Sequence, residues 1–121
     1  MPLETDDAML EQVSSRLMSQ GVYIEDADRD DERLTLEYET LAPGDGVPHQ
    51  QIGTVINTFR DVIEQGWEPT TIEATVADVD DGHHRGSWRM DEEWLLALEN
   101  GELSEVEFSG RVLDTLEEPS H

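Results

Sequence analysis

The stretch "DVDDGHHRGSW", residues 78–88, concentrates side chains that could bind a metal ion. Carboxylates and imidazoles are common ligands of zinc and other divalent cations. Adjacent histidines in an extended chain point to opposite sides, so His83 and His84 share one ion only if the turn bends them together. Asp-Asp-Gly at 80–82 is a natural turn sequence. We therefore predict a hairpin tip, and we keep a metal site as the less favoured alternative. Its candidate ligands are Asp78, Asp80, His83 and His84, with Asp81 beside them.

Two other stretches have ligand-like spacing. In "DADRDDERLTLE", acids fall at positions 1, 3, 5, 7 and 12 of an EF-hand loop, but Asp31 stands where the sharp turn needs glycine. We predict a solvated hairpin loop that attracts solvent cations loosely. "PGDGVPH" lies between a predicted strand and a predicted helix, as phosphate loops do, yet Asp45 would repel an anion and Pro48 removes an amide donor. We predict a loop that simply enters the helix.

Enzymatic chemistry has little support in the sequence. The chain has no cysteine, and it contains neither a G-x-S-x-G nor an H-E-x-x-H motif. No cofactor is predicted. A metal- or small-molecule-dependent enzyme is kept as an alternative, and it requires His49 to converge with His83 or His84 in one pocket.

The composition is strongly acidic. Thirty Asp and Glu residues face seven arginines and no lysine, which gives a formal net charge of -23. Such a field opposes compaction at low salt, whereas the Debye length falls to about 3 Å at 1 M salt. We therefore predict a protein adapted to concentrated salt.

The charge also weighs against a nucleic-acid partner, although counterion release contributes little in molar salt. A nucleic-acid-associated regulator would need several arginines on one face. Arg85 and Arg89 are expected to share one strand face and could begin such a patch. The full set is Arg16, Arg29, Arg33, Arg60, Arg85, Arg89 and Arg111.

Hydrophobic periodicity predicts the elements that would position these side chains. Two long helices are expected, over about 5–20 and over 48–65, and the second should end at a left-handed Gly66. Two further helices are expected, one that begins after Asp91 as its N-cap and one that begins with a Ser104–Glu107 capping box. Trp67 is expected to fold back onto Val62. Strands are expected over 21–26, 33–41, 70–79 and 85–90.

The predicted order is α-β-β-α-β-β-α-α in a single domain, 1–121. This order favours an α+β fold in which helices pack on one face of a four-stranded, largely antiparallel sheet. The other face would be polar and wet. No run of about 18 apolar residues exists and the first residues are acidic, so we expect no membrane association and a cytoplasmic location. The expected polar-face residues are Thr35, Glu37, Glu39, Glu73 and Thr75.

Four segments carry a resemblance to a known group of proteins: "LEYETLAPGDGVPH", "GWEPTTIEATV", "RGSWRMDEEWL" and "GELSEVEFSGRVLDTL". They resemble parts of a small uncharacterised acidic protein family of halophilic archaea, over roughly residues 20–117. The resemblance implies no activity, cofactor or site residue. The leading hypothesis is a non-enzymatic protein-interaction or adaptor domain that binds a protein partner or a second copy of itself as a homodimer.

Overall fold

The computed structural model describes residues 2–30, 33–44, 46–66 and 70–118, with side chains from Met9 onward. Within these ranges, four helices and four strands follow the predicted order, so the predicted α+β fold is confirmed. None of the described helices is long and apolar enough to cross a bilayer. The elements are α1 Pro2–Met18, β1 Val22–Arg29, β2 Arg33–Thr40, α2 His49–Glu64, β3 Thr71–Asp78, β4 His84–Met90, α3 Glu92–Glu99 and α4 Glu105–Asp114.

The strands form one mixed sheet in the order β1-β2-β3-β4. The pairs β1–β2 and β3–β4 are antiparallel hairpins, whereas β2 and β3 run parallel. Parallel neighbours need a crossover connection, and α2 supplies it. The sheet is therefore largely antiparallel, as predicted, with a central β2-α2-β3 unit. The ends of β2 and β3 lie together at one end of the sheet.

One face of the sheet is buried under the helices. Alternate residues of β2 and β3 pair side by side on this face, for example Leu36 with Ala74 and Tyr38 with Val76. The opposite face is polar, and Thr35, Glu37 and Thr75 are exposed there as predicted. All four helices, the short ones included, contribute to the single core, through Val13, Leu17, Ile52, Val55, Ile56, Phe59, Val62, Leu95, Phe108 and Val112.

The acidic segment predicted as a loop is partly strand, so that prediction is wrong in its extent. β1 continues to Arg29, which pairs with Leu34. A bulge between Ile24 and Asp26 shifts the register and places Asp26 opposite Glu37. Charged residues and a bulge on an edge strand discourage pairing with another sheet. Positions 31 and 32 of the EF-hand-like pattern lie outside the described residues.

The other edge of the sheet is occupied by the chain itself. Ser87 in β4 exchanges two backbone hydrogen bonds with Glu117, of 2.8 and 2.9 Å. The Thr115 hydroxyl accepts a hydrogen bond from the Arg89 amide at 2.8 Å. The segment after α4 therefore runs along β4.

The capping box of α4 is confirmed. The Ser104 hydroxyl accepts a hydrogen bond from the Glu107 amide at 3.1 Å, and the Glu107 carboxylate accepts one from the Ser104 amide at 3.0 Å. The hydrogen bond from the Ser104 amide is the main cause that lowers the pKa of the Glu107 carboxyl. The box opens α4, which is helical over Glu105–Asp114.

The side-chain cap of α3 comes from Thr71 and not from the predicted Asp91. Asp91 precedes the helix, but its carboxylate makes no capping hydrogen bond. The Thr71 hydroxyl accepts from the Glu92 amide at 3.0 Å and so joins α3 to β3. Gly66 is left-handed as predicted, with φ of +116°. The expected contact of Trp67 lies outside the described residues.

A tyrosine and a tryptophan meet in the buried face. The Trp88 indole N–H donates to the Tyr38 hydroxyl at 2.9 Å, and the two rings meet edge to face with centroids 6.5 Å apart. Burial raises the pKa of Tyr38 from 10.0 to about 12, against the smaller opposing effect of the Trp88 hydrogen bond.

This burial predicts a loss of stability in alkali. The unfolded chain ionises Tyr38 near pH 10.0 and the folded chain near pH 12, so the free energy of unfolding falls as pH rises through that window. At 1.36 kcal/mol per unit, the loss is on the order of 2–3 kcal/mol. Urea unfolding of Tyr38→Phe across this window should show a flatter pH dependence than the wild type. The half-exposed Tyr23→Phe is the control, and an unchanged slope in Tyr38→Phe would contradict the assignment.

Candidate functional site

A bulge at the start of β4 turns one arginine into the protein. Val76 pairs with Gly86, and the next residue, Ala77, pairs with His84, so Arg85 is the extra residue of the bulge. Bulges re-aim side chains in this way. The Arg85 side chain is only 1% exposed.

Four acceptors surround the Arg85 guanidinium. Three are backbone carbonyls of the loop before α2, residues 41–48, and one is a carboxylate that ends β3. One buried cation therefore holds the loop against the end of the sheet. The hydrogen bonds run from Nη1 to the Ala42 carbonyl at 2.6 Å, from Nε to the Gly46 carbonyl at 2.8 Å, from Nη1 to Asp78 Oδ1 at 3.2 Å and from Nη2 to the Pro43 carbonyl at 3.3 Å.

The expectation that Arg85 and Arg89 share one strand face is wrong, because Arg85 is the extra residue of the bulge and its side chain turns to the buried side. Arg89 remains exposed and its guanidinium lies 5.5 Å from the centre of the Trp94 ring. Arg85 is buried and fully engaged, so it adds nothing to a nucleic-acid-binding face.

The hairpin tip brings three residues of ligand type together. Single ligand atoms of Asp78, Asp81 and His83 lie within 4.8 Å of one another. Among the described residues, this grouping takes Asp81 in place of Asp80, and it contains neither His84 nor His49.

Internal hydrogen bonds already engage this cluster. Asp78 Oδ2 accepts from the Asp80 amide at 3.0 Å, while Oδ1 faces Arg85. Asp81 Oδ1 accepts from the His83 amide at 3.0 Å, and a contact of 2.6 Å joins it to His83 Nδ1. The amide hydrogen bond is the main cause that lowers the pKa of Asp81. The arrangement closes a turn and anchors Arg85, and a metal site here stays the less favoured alternative.

A groove of about 350 Å³ lies between α2 and α4. This volume is at the lower end of the range of ligand-binding clefts, about 300–1,000 Å³. His49 lies on its rim, whereas His83 and His84 do not line this groove. The groove has an apolar floor of Ile52, Ile56, Phe108 and Val112, and its rim includes His49, Gln50, Gly53, Asn57, Arg60, Glu105 and Ser109.

Ion pairs tie the helices around α2. Arg60 contacts Glu99 at 3.3 Å and Glu105 at 3.4 Å, which bridges α2 to α3 and α4. Arg16 contacts Asp61 at 2.7 Å, which bridges α1 to α2.

The surface formed by α1 and α2 is unusual in this acidic chain. Residues 12–24 and 46–60 contain no Asp or Glu, and they are the two longest such runs in the sequence. The packing of α1 against α2 brings the two runs side by side. We define the neutral face as Ser19, Gln20, His49, Gln50, Gly53, Thr54 and Asn57, which line the clefts on the two sides of α2.

Comparison with known families matches residues 4–121 to a domain of unknown function, DUF8159. The chain belongs to this family. No curated protein and no solved structure matches the chain.

Alternation along β4 missed the burial of Arg85, but one residue carried a signal. A glycine inside a strand often marks a bulge or a close backbone approach. Gly86 has φ of +156°, and a Cβ there would lie 2.6 Å from Val47 Cγ2 and 2.7 Å from the Glu117 carbonyl oxygen. The neutral face was also visible as two acid-free runs, but only the packing of the helices joins them.

Replacing the buried cation should strongly destabilise the domain. Arg85→Met keeps much of the side-chain volume but leaves the Asp78 carboxylate and the loop carbonyls without their donor. Breaking a buried ion pair by removing one partner costs about 3–5 kcal/mol. Urea unfolding at fixed KCl measures the loss. Arg33→Met is the control, because its ion pair with Glu73 is exposed and should contribute about 0–1 kcal/mol. Equal losses in the two variants would contradict the role of Arg85.

Proposed function

We propose that this domain is a non-enzymatic protein-interaction module of the cytoplasm of a halophile, and that it binds its partner through the neutral face and the adjoining groove. The observation that carries the proposal is the absence of carboxylates from this one face in a chain of net charge -23. The resemblance to a family of halophilic archaea supports the setting.

Desolvation explains why an acid-free face suits an interface. Burying a carboxylate without a partner costs far more than burying a hydrogen-bonded amide or hydroxyl. The cores of protein interfaces are accordingly depleted of charged residues. A partner can cover Gln50, Thr54 and Asn57 without removing any carboxylate from water.

The groove supplies apolar anchor sites beside this face. Its rim follows α2 from His49 to Arg60, a distance of about 16 Å at 1.5 Å per residue. A partner helix presents anchor side chains at i, i+4 and i+7 over about 10 Å, which fits within this length. The Arg60 and Arg16 ion pairs bridge α2 to its neighbouring helices beside this groove.

Two exposed apolar side chains lie close to the end of α1. Met18 is 52% exposed and Leu41 is 55% exposed. Backbone hydrogen bonds place both beside Gly21, which donates to the Met18 carbonyl and accepts from the Leu41 amide. They extend the apolar area that a partner would cover.

The arginines favour this role over nucleic-acid binding. Within the part of the chain that the structure describes, these arginines contact carboxylates: Arg16, Arg33, Arg60, Arg85 and Arg89. Paired in this way, they neutralise neighbouring acids and do not form a cationic surface.

Adding acids to the neutral face should weaken partner binding. Gln50→Glu with Asn57→Asp adds two charges at exposed positions. In capture from a halophile lysate at native salt, the double variant should retain at most a tenth of the partner that the wild type retains. The reason is that the new carboxylates must be desolvated on binding. Thr35→Glu with Thr75→Asp adds the same charge to the polar sheet face and should retain the partner. Partners lost equally from both double variants, or from neither, would contradict the proposal.

Folding should depend on salt. Repulsion among 30 acids is screened as KCl rises from about 0.1 M to about 2 M, so the melting temperature and the free energy of unfolding in urea should both increase. Asp26→Asn with Asp28→Asn removes two exposed charges from β1 and should reduce the slope of stability against salt. A domain equally stable at both salt concentrations would contradict adaptation to concentrated salt.

A further inference from the structure

We infer that the partner seated on the neutral face is a second copy of this chain, in a symmetric dimer whose two α2 helices cross at Gly53. The inference rests on the proposed function, because it names the occupant of the same surface.

Gly53 has no explanation within the described chain. It lies inside α2, where glycine is less favourable than alanine. Its φ is not positive, and no atom lies within 4 Å of the position that a Cβ would take. Glycine permits close approach of another backbone. The missing side chain therefore matches a contact from outside the chain.

A second helical glycine, Gly110 in α4, would also meet open space at its Cβ position, but it does not line the groove. Among the described glycines, the others have positive φ or, in the case of Gly46, lie against the Glu118 side chain. Of the two helical glycines without an internal role, Gly53 is therefore the one that lies on the neutral face.

The neutral face is complementary to itself. In a twofold dimer, the same patch meets its own copy. Amide and hydroxyl side chains each donate and accept hydrogen bonds, so Gln50, Thr54 and Asn57 can pair with the same residue types. A patch of one charge sign has no such option, since like charges repel across the axis. This makes the face chemically suited to its own copy.

Charge at the borders of the face is also compatible with a second copy. Two chains of net charge -23 repel each other, and contact through acidic surfaces brings carboxylates together. Two acids near the neutral face contact arginines, Asp61 with Arg16 and Glu105 with Arg60. Approach through this face therefore brings fewer unpaired carboxylates together than approach through an acidic surface.

The cysteine-free sequence allows a direct test by disulfide trapping. Gly53→Cys introduces a single thiol at the proposed axis, where the two Cα atoms should fall within the disulfide range of about 4.4–6.8 Å. Mild oxidation at about 2 M KCl should convert most of this variant to a covalent dimer. Thr75→Cys, on the polar sheet face, should form little covalent dimer under the same oxidation. Trapping of Gly53→Cys no faster than of Thr75→Cys would overturn the inference.

Asn57→Cys, at an exposed position one turn along α2, provides a second trap if Gly53→Cys does not fold. It should also crosslink faster than Thr75→Cys, and failure to do so would count against the dimer in the same way.

Light scattering in about 2 M KCl separates this inference from the proposed function. The wild type should be a dimer, and Asn57→Asp should raise its dissociation constant at least tenfold, whereas Thr75→Asp should not. A monomeric wild type whose lysate partner is still lost on acidifying the neutral face would overturn the dimer and support the interaction module. A dimer indifferent to Asn57→Asp would also overturn the inference, because its interface would lie elsewhere. A monomeric wild type whose capture of a partner is unchanged by acidic substitutions on the neutral face would overturn both the dimer and the proposed function.

Discussion

The buried Arg85 guanidinium joins three parts of the chain that local structure alone leaves separate. It engages the loop before α2 and the end of β3 while belonging to β4 itself. The adjacent Gly86 admits Val47 and the Glu117 carbonyl at distances that a Cβ would forbid. Glu118 completes the junction, since its carboxylate accepts from the Val47 amide at 2.7 Å. A single bulge thus determines how loop, sheet and C-terminal segment meet.

The same junction fixes the start of α2. Its first turn has no side-chain cap of its own, and the loop that leads into it is held by Arg85. The Thr40 hydroxyl donates to the Gln51 side chain at 2.7 Å, which adds a contact between β2 and the first turn. Because the neutral face consists largely of α2 residues, its orientation depends on a charge buried at the other end of the loop.

Much of the fold followed from the sequence, because a strong hydrophobic periodicity fits only one type of element with one buried face. The apolar stripe of α2 and the Ser104–Glu107 box predicted their elements within a residue or two. The bulges at Glu25 and Arg85 did not follow, since one extra residue reverses the face of those around it at small cost. For the same reason the hairpin tip was predicted, whereas the role of Asp81 in place of Asp80 in the cluster depended on the turn geometry. The neutral face could not be predicted, because it forms only where two separate helices pack together.

The two edges of the sheet have a consequence for colloidal behaviour. An exposed strand edge is a template on which copies add without limit, and such growth ends in fibrils. Here β1 presents a bulge and acids, and the chain's own segment around Glu117 runs along β4. Both edges of the sheet therefore offer neighbouring chains no easy place to attach, which limits edge-to-edge association of the folded domain.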